Sequence, residues 1–377
     1  MKRITVDPTT CLASGLSTRP WENWCQTIEI ADQPIAGGRQ GEIYPVVHID
    51  GHNATDLLVK IFHEGYPPEL REILTTIRNH NATYGIDKCT ALRALPLLLF
   101  TGTMQGQSAQ GSIMRRVSGK PLSQIREDKQ DLNAYINLPW ADRLALCRQF
   151  VEGMHILYSL TIVHADLNGQ NLMIDLAQRT LAIIDLDGGA VAGTGHVPQV
   201  IGKLEPGWLA PEIIAQLAQT TTHQKITVGM AVDLWATACG MHHLLFGMAP
   251  FFFMREQVQI VDYLTKYTWP QLYGLQGITT HNAHIFGYYE RAYQQCPASV
   301  RHLLEFAFQK GYQNTRHRPT PYQWLQELGT MKVRSGQEPS TGSTASRTAT
   351  SPSKPDRLIQ IKKLLWDGLD PLGLSRR

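Results

Sequence analysis

The segment His164-Ala-Asp-Leu-Asn-Gly-Gln-Asn171 runs straight into the apolar stretch Leu172-Met-Ile. A second apolar stretch, Leu181-Ala-Ile-Ile, ends at Asp185. Two short apolar runs flanked by polar turns read as a strand-loop-strand pair. No other feature constrains the chain as much. It carries Asp185, fourteen residues after Asn171, back beside the loop that holds Asp166 and Asn171. One carboxylate that can orient a hydroxyl, plus an amide and a second carboxylate offering hard oxygen ligands to Mg²⁺, is the donor set phosphoryl transfer needs. The same residue types also occur as plain polar turns, so the rest of the chain has to decide.

Around this centre the first third reads as sheet and the remainder as helix. Ile28 to about Phe62 is strand-like, with a glycine cluster in its middle. Residues 67–78 predict a helix whose apolar face is Leu70, Ile73, Leu74 and Ile77. ALPLLLFTG and GSIMRRV are two further strands. Asn137 is placed to cap a following helix, with Pro139 in its first turn. From Pro211 to about Gly329 the pattern is several helices. The expected class is α+β, with two lobes joined near Arg115–Gly119: an extension over 1–27, a sheet-rich N-lobe over 28–116 and a mostly helical C-lobe over 117–330. Trp21 and Trp24 imply that part of the extension packs on something. Residues 331–354 form a Ser/Thr-rich disordered linker, with ten hydroxyls between 335 and 354. Residues 355–377 form a short amphipathic segment with Leu358, Ile361 and Leu365 on one stripe.

Composition excludes several function classes. The 35 basic and 32 acidic side chains leave +3, too little to imply nucleic acid. No run reaches the ~18 apolar residues of a membrane helix, and the first residues lack the apolar core of a secretion signal. The six cysteines are far apart and read as reduced thiols in a cytoplasmic compartment. His242-His243 lack the neighbouring ligands of a metal set and read as helix-packing histidines.

Two further groups complete a site. Gly38 and Gly41, in Ile35-Ala-Gly-Gly-Arg-Gln-Gly-Glu-Ile-Tyr44, would let backbone N–H groups approach phosphate oxygens; a flexible hairpin would look the same. Lys60 closes the apolar strand Leu57-Leu-Val-Lys60 and needs a phosphate or a carboxylate as partner. Glu69 on the following helix is the preferred carboxylate, with Glu72 as competitor.

Taken in order, these residues resemble the eukaryotic-like serine/threonine protein kinase family, in its divergent bacterial form. Gly38, Gly41 and Ile43 match the glycine-rich loop, Lys60 the strand lysine, His164, Asp166 and Asn171 the catalytic loop, and Asp185 the metal-binding aspartate. Ala210-Pro-Glu212, Asp233-Leu-Trp235, Gly247-Met-Ala-Pro-Phe251 and Arg318 match later signatures. The resemblance covers about 28–330 and implies a two-lobed kinase fold with ATP and Mg²⁺ as cofactors and protein hydroxyls as acceptors, its own included. It implies catalysis by Asp166, Lys60 and Asn171. Nucleotide contacts would come from Gly38, Gly41, Ile43, Lys60, Glu69, Met114 and Arg116, and metal ligation from Asn171, Asp185 and Asp187. Glu212 and Arg318 would pair structurally. Protein substrates are the expected partners, without nucleic acid or membrane, and the C-terminal segment is a candidate docking helix.

The chain departs from the family at several points. Ala36 replaces the first loop glycine. Ala165 replaces the arginine before the catalytic aspartate, and 188–209 hold one hydroxyl, Thr194, so activity is not expected to depend on phosphorylation there. Asn168 replaces a lysine, and Glu205 stands where its threonine partner would be, which weakens the case for Ser/Thr acceptors. Asp187 replaces a glycine and, two residues after Asp185, would either share the metal or cap the following turn. Two other readings stay open: a small-molecule kinase of the aminoglycoside or choline type, suggested by Asp185-Leu-Asp187, and a nucleotide-binding pseudokinase.

Overall fold

A computed structural model describes residues 1–19, 21, 25–38, 40–192, 207–219, 229–254, 257–271 and 283–330. Trp24, Thr194, Glu205, the linker and the C-terminal segment lie outside the described residues.

The first part of the chain is an antiparallel sheet with strands β1 (Lys2–Val6), β2 (Leu12–Ala13), β3 (Thr27–Ile30), β4 (Ala36–Gly37), β5 (Gly41–Ile49), β6 (His52–Asn53), β7 (Leu57–Phe62), β8 (Pro96–Met104) and β9 (Gln107–Arg115). The order β1-β3-β5-β7-β9-β8 returns to its start, because β1 pairs with β3 on one side and with β8 on the other. Six strands therefore close into a barrel. Alternation along the strands sends Ile4, Ile28, Ile30, Val46, Leu57, Val59, Leu98, Phe100 and Ile113 inward, where all are fully buried in one core. The sequence suggests an extension over 1–27, but its first strand is a stave of the barrel. The close approach that lets it pair with β8 needs Gly102, where a Cβ would run into the Thr5 carbonyl.

The opposite face of the sheet carries α1 (Pro68–Tyr84). Leu70, Ile73, Leu74 and Ile77 are all fully buried, as their spacing predicts. Leu70 and Leu74 join Phe62 of β7 and Leu99 of β8 in a cluster separate from the barrel core. Burying each such side chain contributes about 1.5–3 kcal/mol.

Past Arg115 come β10 (Lys120–Pro121), α2 (Leu122–Glu127), α3 (Lys129–Ile136) and α4 (Trp140–Ser159). Asn137 ends α3 and does not begin α4; the residue before the first turn of α4 is Pro139. The strand pair expected around the polar loop is present. β11 (Ile162–Val163) precedes the loop, and β12 (Leu172–Asp175) pairs with β13 (Thr180–Ile183). β14 (Ala190–Val191) pairs with β11. Helices α5 (Pro211–Gln219), α6 (Met230–Phe246), α7 (Gln257–Lys266), α8 (Ala283–Gln295), α9 (Ala298–Glu305), α10 (Gly311–Gln313) and α11 (Pro321–Thr330) complete the described chain. The class is α+β, with sheet first and helix after. Among the described residues no helix is long and apolar enough to cross a membrane.

Candidate active site

The loop between β11 and β12 is held from beneath by α6. Asp233 is 2% exposed and accepts the backbone N–H groups of His164 (2.6 Å) and Ala165 (3.1 Å). His164 contacts the Ile184 carbonyl through Nε2 (3.0 Å), and the Ile184 N–H donates to the Asn171 carbonyl (3.0 Å). The loop and the end of β13 are thereby locked side by side. Ala165 and Asp185 both sit at positive φ, 65° and 61°. Backbone in that region is costly for residues with a Cβ and persists only where surrounding bonds impose it.

Asp166 is half-buried at the loop's apex. Asn168 donates to its Oδ1 (2.9 Å), and Asn171 donates to its carbonyl (2.7 Å) and Oδ2 (3.3 Å). Asn168 thus supplies a neutral donor to the same carboxylate at the family's lysine position. Both Asn171 bonds use the amide nitrogen, which leaves its carbonyl oxygen as the atom a cation would meet. Burial first, and then the charge of Asp185, push Asp166 up to about 6 against the pull of His164.

Lys60 reaches this loop from the barrel. Its Nζ donates to Asp185 Oδ1 at 3.0 Å, to Asp187 Oδ2, and to Gln40 at 3.4 Å. Asp185 and Asp187 do not lie together on a strand. β13 ends at Ile183, and Asp185 opens a one-turn 3₁₀ helix over Leu186–Gly188 that swings Asp187 onto the lysine. The expected grip of Glu69 on Lys60 is not what forms. Glu69 lies half-buried in the first turn of α1, and the carboxylates at the ammonium are Asp185 and Asp187. The physical reason is that all four inward positions of α1 are apolar. Burial works against the charge of Lys60, yet the two carboxylates outweigh it and raise its pKa. Burial likewise opposes ionisation of Asp185, and Lys60 overrides it, holding that carboxyl low. Asp187 is deeper, and burial with the charge of Asp185 pushes it up to about 6.

The other expected residues frame this pair. Ile43 stands directly opposite Lys60 across β5–β7, and Ser112 opposite it across β7–β9; Met114 faces Leu58 one step along the same face. Arg116 is exposed just past β9, its N–H bonded to the Asp56 carbonyl at 2.8 Å. Gly38 has open space where a Cβ would be. A Cβ on Gly41 would strike the Ile61 carbonyl, so this glycine also serves strand packing. Local sequence gave no sign of two supporting contacts. His63 clips the glycine loop through its N–H to the Gln40 carbonyl (3.0 Å) and through Nε2 to the Gly38 carbonyl (3.2 Å).

The donor set suits Mg²⁺. Among the described residues there is no cluster of three His, Cys, Asp or Glu side chains that would cage a metal. A cation here would meet Asp185 and the Asn171 carbonyl oxygen, with substrate oxygens completing its shell, the usual arrangement for Mg²⁺ at phosphate sites. Further along, Arg318 makes a two-pronged pair with Glu212 (2.6 and 2.7 Å), as the sequence implied.

The family model described as "Protein kinase domain" matches residues 113–327, more than half of the chain. The chain is 30% identical over 149 residues to mitogen-activated protein kinase kinase kinase 3 of Mus musculus, covering 38% of this chain and 22% of the relative. It is 29% identical over 103 residues to mitogen-activated protein kinase kinase kinase 5 of Arabidopsis thaliana, covering 27% and 14%. It is 27% identical over 138 residues to the dual specificity protein kinase TTK of Mus musculus, covering 34% and 16%. The chain therefore spans less than a quarter of the length of each of these relatives. With more than half of its length matched, and with the matched loop built as described above, the chain belongs to the protein kinase domain family.

Proposed function

We propose that the chain is an ATP-dependent protein kinase that transfers the γ-phosphoryl group to protein hydroxyls, serine and threonine first, its own included. In this reading the barrel and the helical part are the two lobes, with the nucleotide between them. Lys60 grips the α- and β-phosphates, Ile43 and Met114 flank the base, and Asp166 orients the acceptor hydroxyl for in-line attack. Mg²⁺ held by Asn171 and Asp185 would neutralise phosphate charge. Fixed charges placed around the reacting group supply most of the rate in such sites.

One observation carries the reading. Lys60, from a barrel strand, bonds a carboxylate 125 residues away that lies beside a loop with its own hydrogen-bonded aspartate, Asp166, next to the positive-φ residue Ala165. The strand lysine Lys60, Asp166, Asn171 and Asp185 are all present, which makes a pseudokinase the weaker reading. The small-molecule reading leans on Asp185-Leu-Asp187; Ala210-Pro-Glu212, Asp233-Leu-Trp235 and Arg318 speak for a protein kinase instead. The test is phosphosite mapping by mass spectrometry after incubation with Mg·ATP, with protein and small-alcohol acceptors compared. Asp166→Asn should nearly abolish transfer with nucleotide affinity largely kept, and Asp185→Asn should also impair Mg·ATP binding. Undiminished transfer in both variants would defeat the assignment.

A further inference from the structure

We propose that Asp187 is the positioning residue for Lys60, in place of a carboxylate from α1. The use made of Lys60 rests on the nucleotide-binding reading above; the pair itself rests on the structure alone.

The two carboxylates at the ammonium are not equivalent. The Asp185 side chain is 39% exposed, open to a cation. The Asp187 side chain is 4% exposed, and that of Lys60 9%. Asp187 is shut away from solvent, and Lys60 is the charged partner it holds. When Asp185 turns to a cation, Asp187 is what keeps the ammonium in place.

Helix α1 has no inward position left for this task. Its inner face is Leu70, Ile73, Leu74 and Ile77, all fully buried, and Leu70 and Leu74 pack on Phe62, two residues beyond Lys60 on β7. Instead α1 lies against the Leu186–Gly188 turn and β14, so that a Cβ on Gly189 would meet Ile73 Cδ1 at 3.4 Å. The lysine's anchor therefore belongs to the same turn as Asp185. It moves with that turn, and a displacement of α1 alone leaves the anchor in place. This assignment takes Asp187 out of the metal set.

The test is a double-mutant cycle with Lys60→Met and Asp187→Asn, read on the full chain in two ways. The first is thermal unfolding without ligand. Lys60→Met alone leaves two facing carboxylates and melts lowest; adding Asp187→Asn recovers part of the loss. Additive losses would overturn the pair. The second is calorimetric binding of ATP in EDTA and the Mg²⁺ concentration at half-maximal binding. Asp187→Asn should weaken metal-free ATP binding about tenfold, have no effect in the Lys60→Met background, and leave the Mg²⁺ midpoint unchanged. A shifted midpoint would make Asp187 a metal ligand, and tighter ATP binding in both backgrounds would reduce it to a diffuse charge; either overturns the proposal. So would Glu69→Gln or Glu72→Gln reproducing the Asp187→Asn loss. If the parent protein binds no ATP, the kinase reading fails, while the unfolding cycle still decides whether the pair exists.

Discussion

On α6, His242 has both ring nitrogens served, by the Met248 carbonyl and the Tyr289 hydroxyl, each at 2.8 Å. His243 beside it stacks on Trp208 at 5.0 Å, and neither of its nitrogens has a hydrogen-bond partner among the described residues. Both rings are fully buried, and burial pulls His242 down to about 3 and His243 well below its ordinary value. They are neutral packing histidines. In the unfolded chain each takes up a proton near pH 6.5. Below that pH the unfolded state binds more protons than the folded one, so stability falls as pH falls. The slope is about 1.4 kcal/mol per pH unit for each ring. The raised carboxyls of Asp166 and Asp187 act with the opposite sign between about pH 6 and 4, since the folded state there binds the extra proton. A comparison of His243→Phe with the parent cancels them. Unfolding free energies from urea titrations should be nearly equal at pH 8, where a stacked ring replaces a stacked ring. They should diverge below pH 6.5 by about 1.4 kcal/mol per unit in favour of the variant. Parallel curves would mean that His243 is protonated in the fold.

Among the elements, β1 does most for its length. Ile4 lies opposite Ile28 on one side and Met104 on the other, so a five-residue strand satisfies two edges at once. Ile4→Ala should cost about 2–4 kcal/mol in urea unfolding. Deleting residues 2–6 should do more than remove that burial. It exposes the free edges of β3 and β8, and open edges recruit other chains, so light scattering should rise at protein concentrations where the parent stays monodisperse. A truncated protein with parent-like stability and no scattering would mean that the barrel holds without its closing strand. This element is also where sequence reading failed, for a physical reason. β1 offers only Ile4 and Val6 as alternation, and its partner β8 is about a hundred residues away, so no local pattern reports the closure. α1 was legible because four buried residues repeat within one helix. The Lys60 partner was misread for a related reason: spacing along α1 made Glu69 available, but which face a helix buries and where a strand ends are decided by packing. The placement of the loop from His164 to Asn171 beside the aspartate after β13 was legible because one short hairpin, β12–β13, joins them.

At the scale of the molecule, the helical part is tied together at Arg318. Its side chain is 0% exposed, and it joins Glu212 at the start of α5 to the Ala231 carbonyl (2.7 Å) at the start of α6 and the Gly311 carbonyl (3.0 Å) in α10. Its guanidinium also lies 5.2 Å from the Trp235 ring, whose Nε1–H donates to the Gly207 carbonyl. Four segments spread over more than a hundred residues meet at one cation. Because Trp235 follows Asp233 by two residues, the same node bears on the helix that holds the loop of Asp166. The pair's value depends on which half is removed. Glu212 is 32% exposed and can be hydrated when alone, whereas Arg318 cannot. Glu212→Ala strands a buried guanidinium and should cost about 3–5 kcal/mol. Replacing both residues removes the stranded charge, so Glu212→Ala with Arg318→Met should be no less stable than Glu212→Ala alone. Neither residue touches the Lys60 cleft. In the fraction that remains folded, ATP affinity in the Glu212→Ala protein should match the parent, while the unfolding midpoint falls. A loss of affinity without a loss of stability would show that this node acts on the site directly.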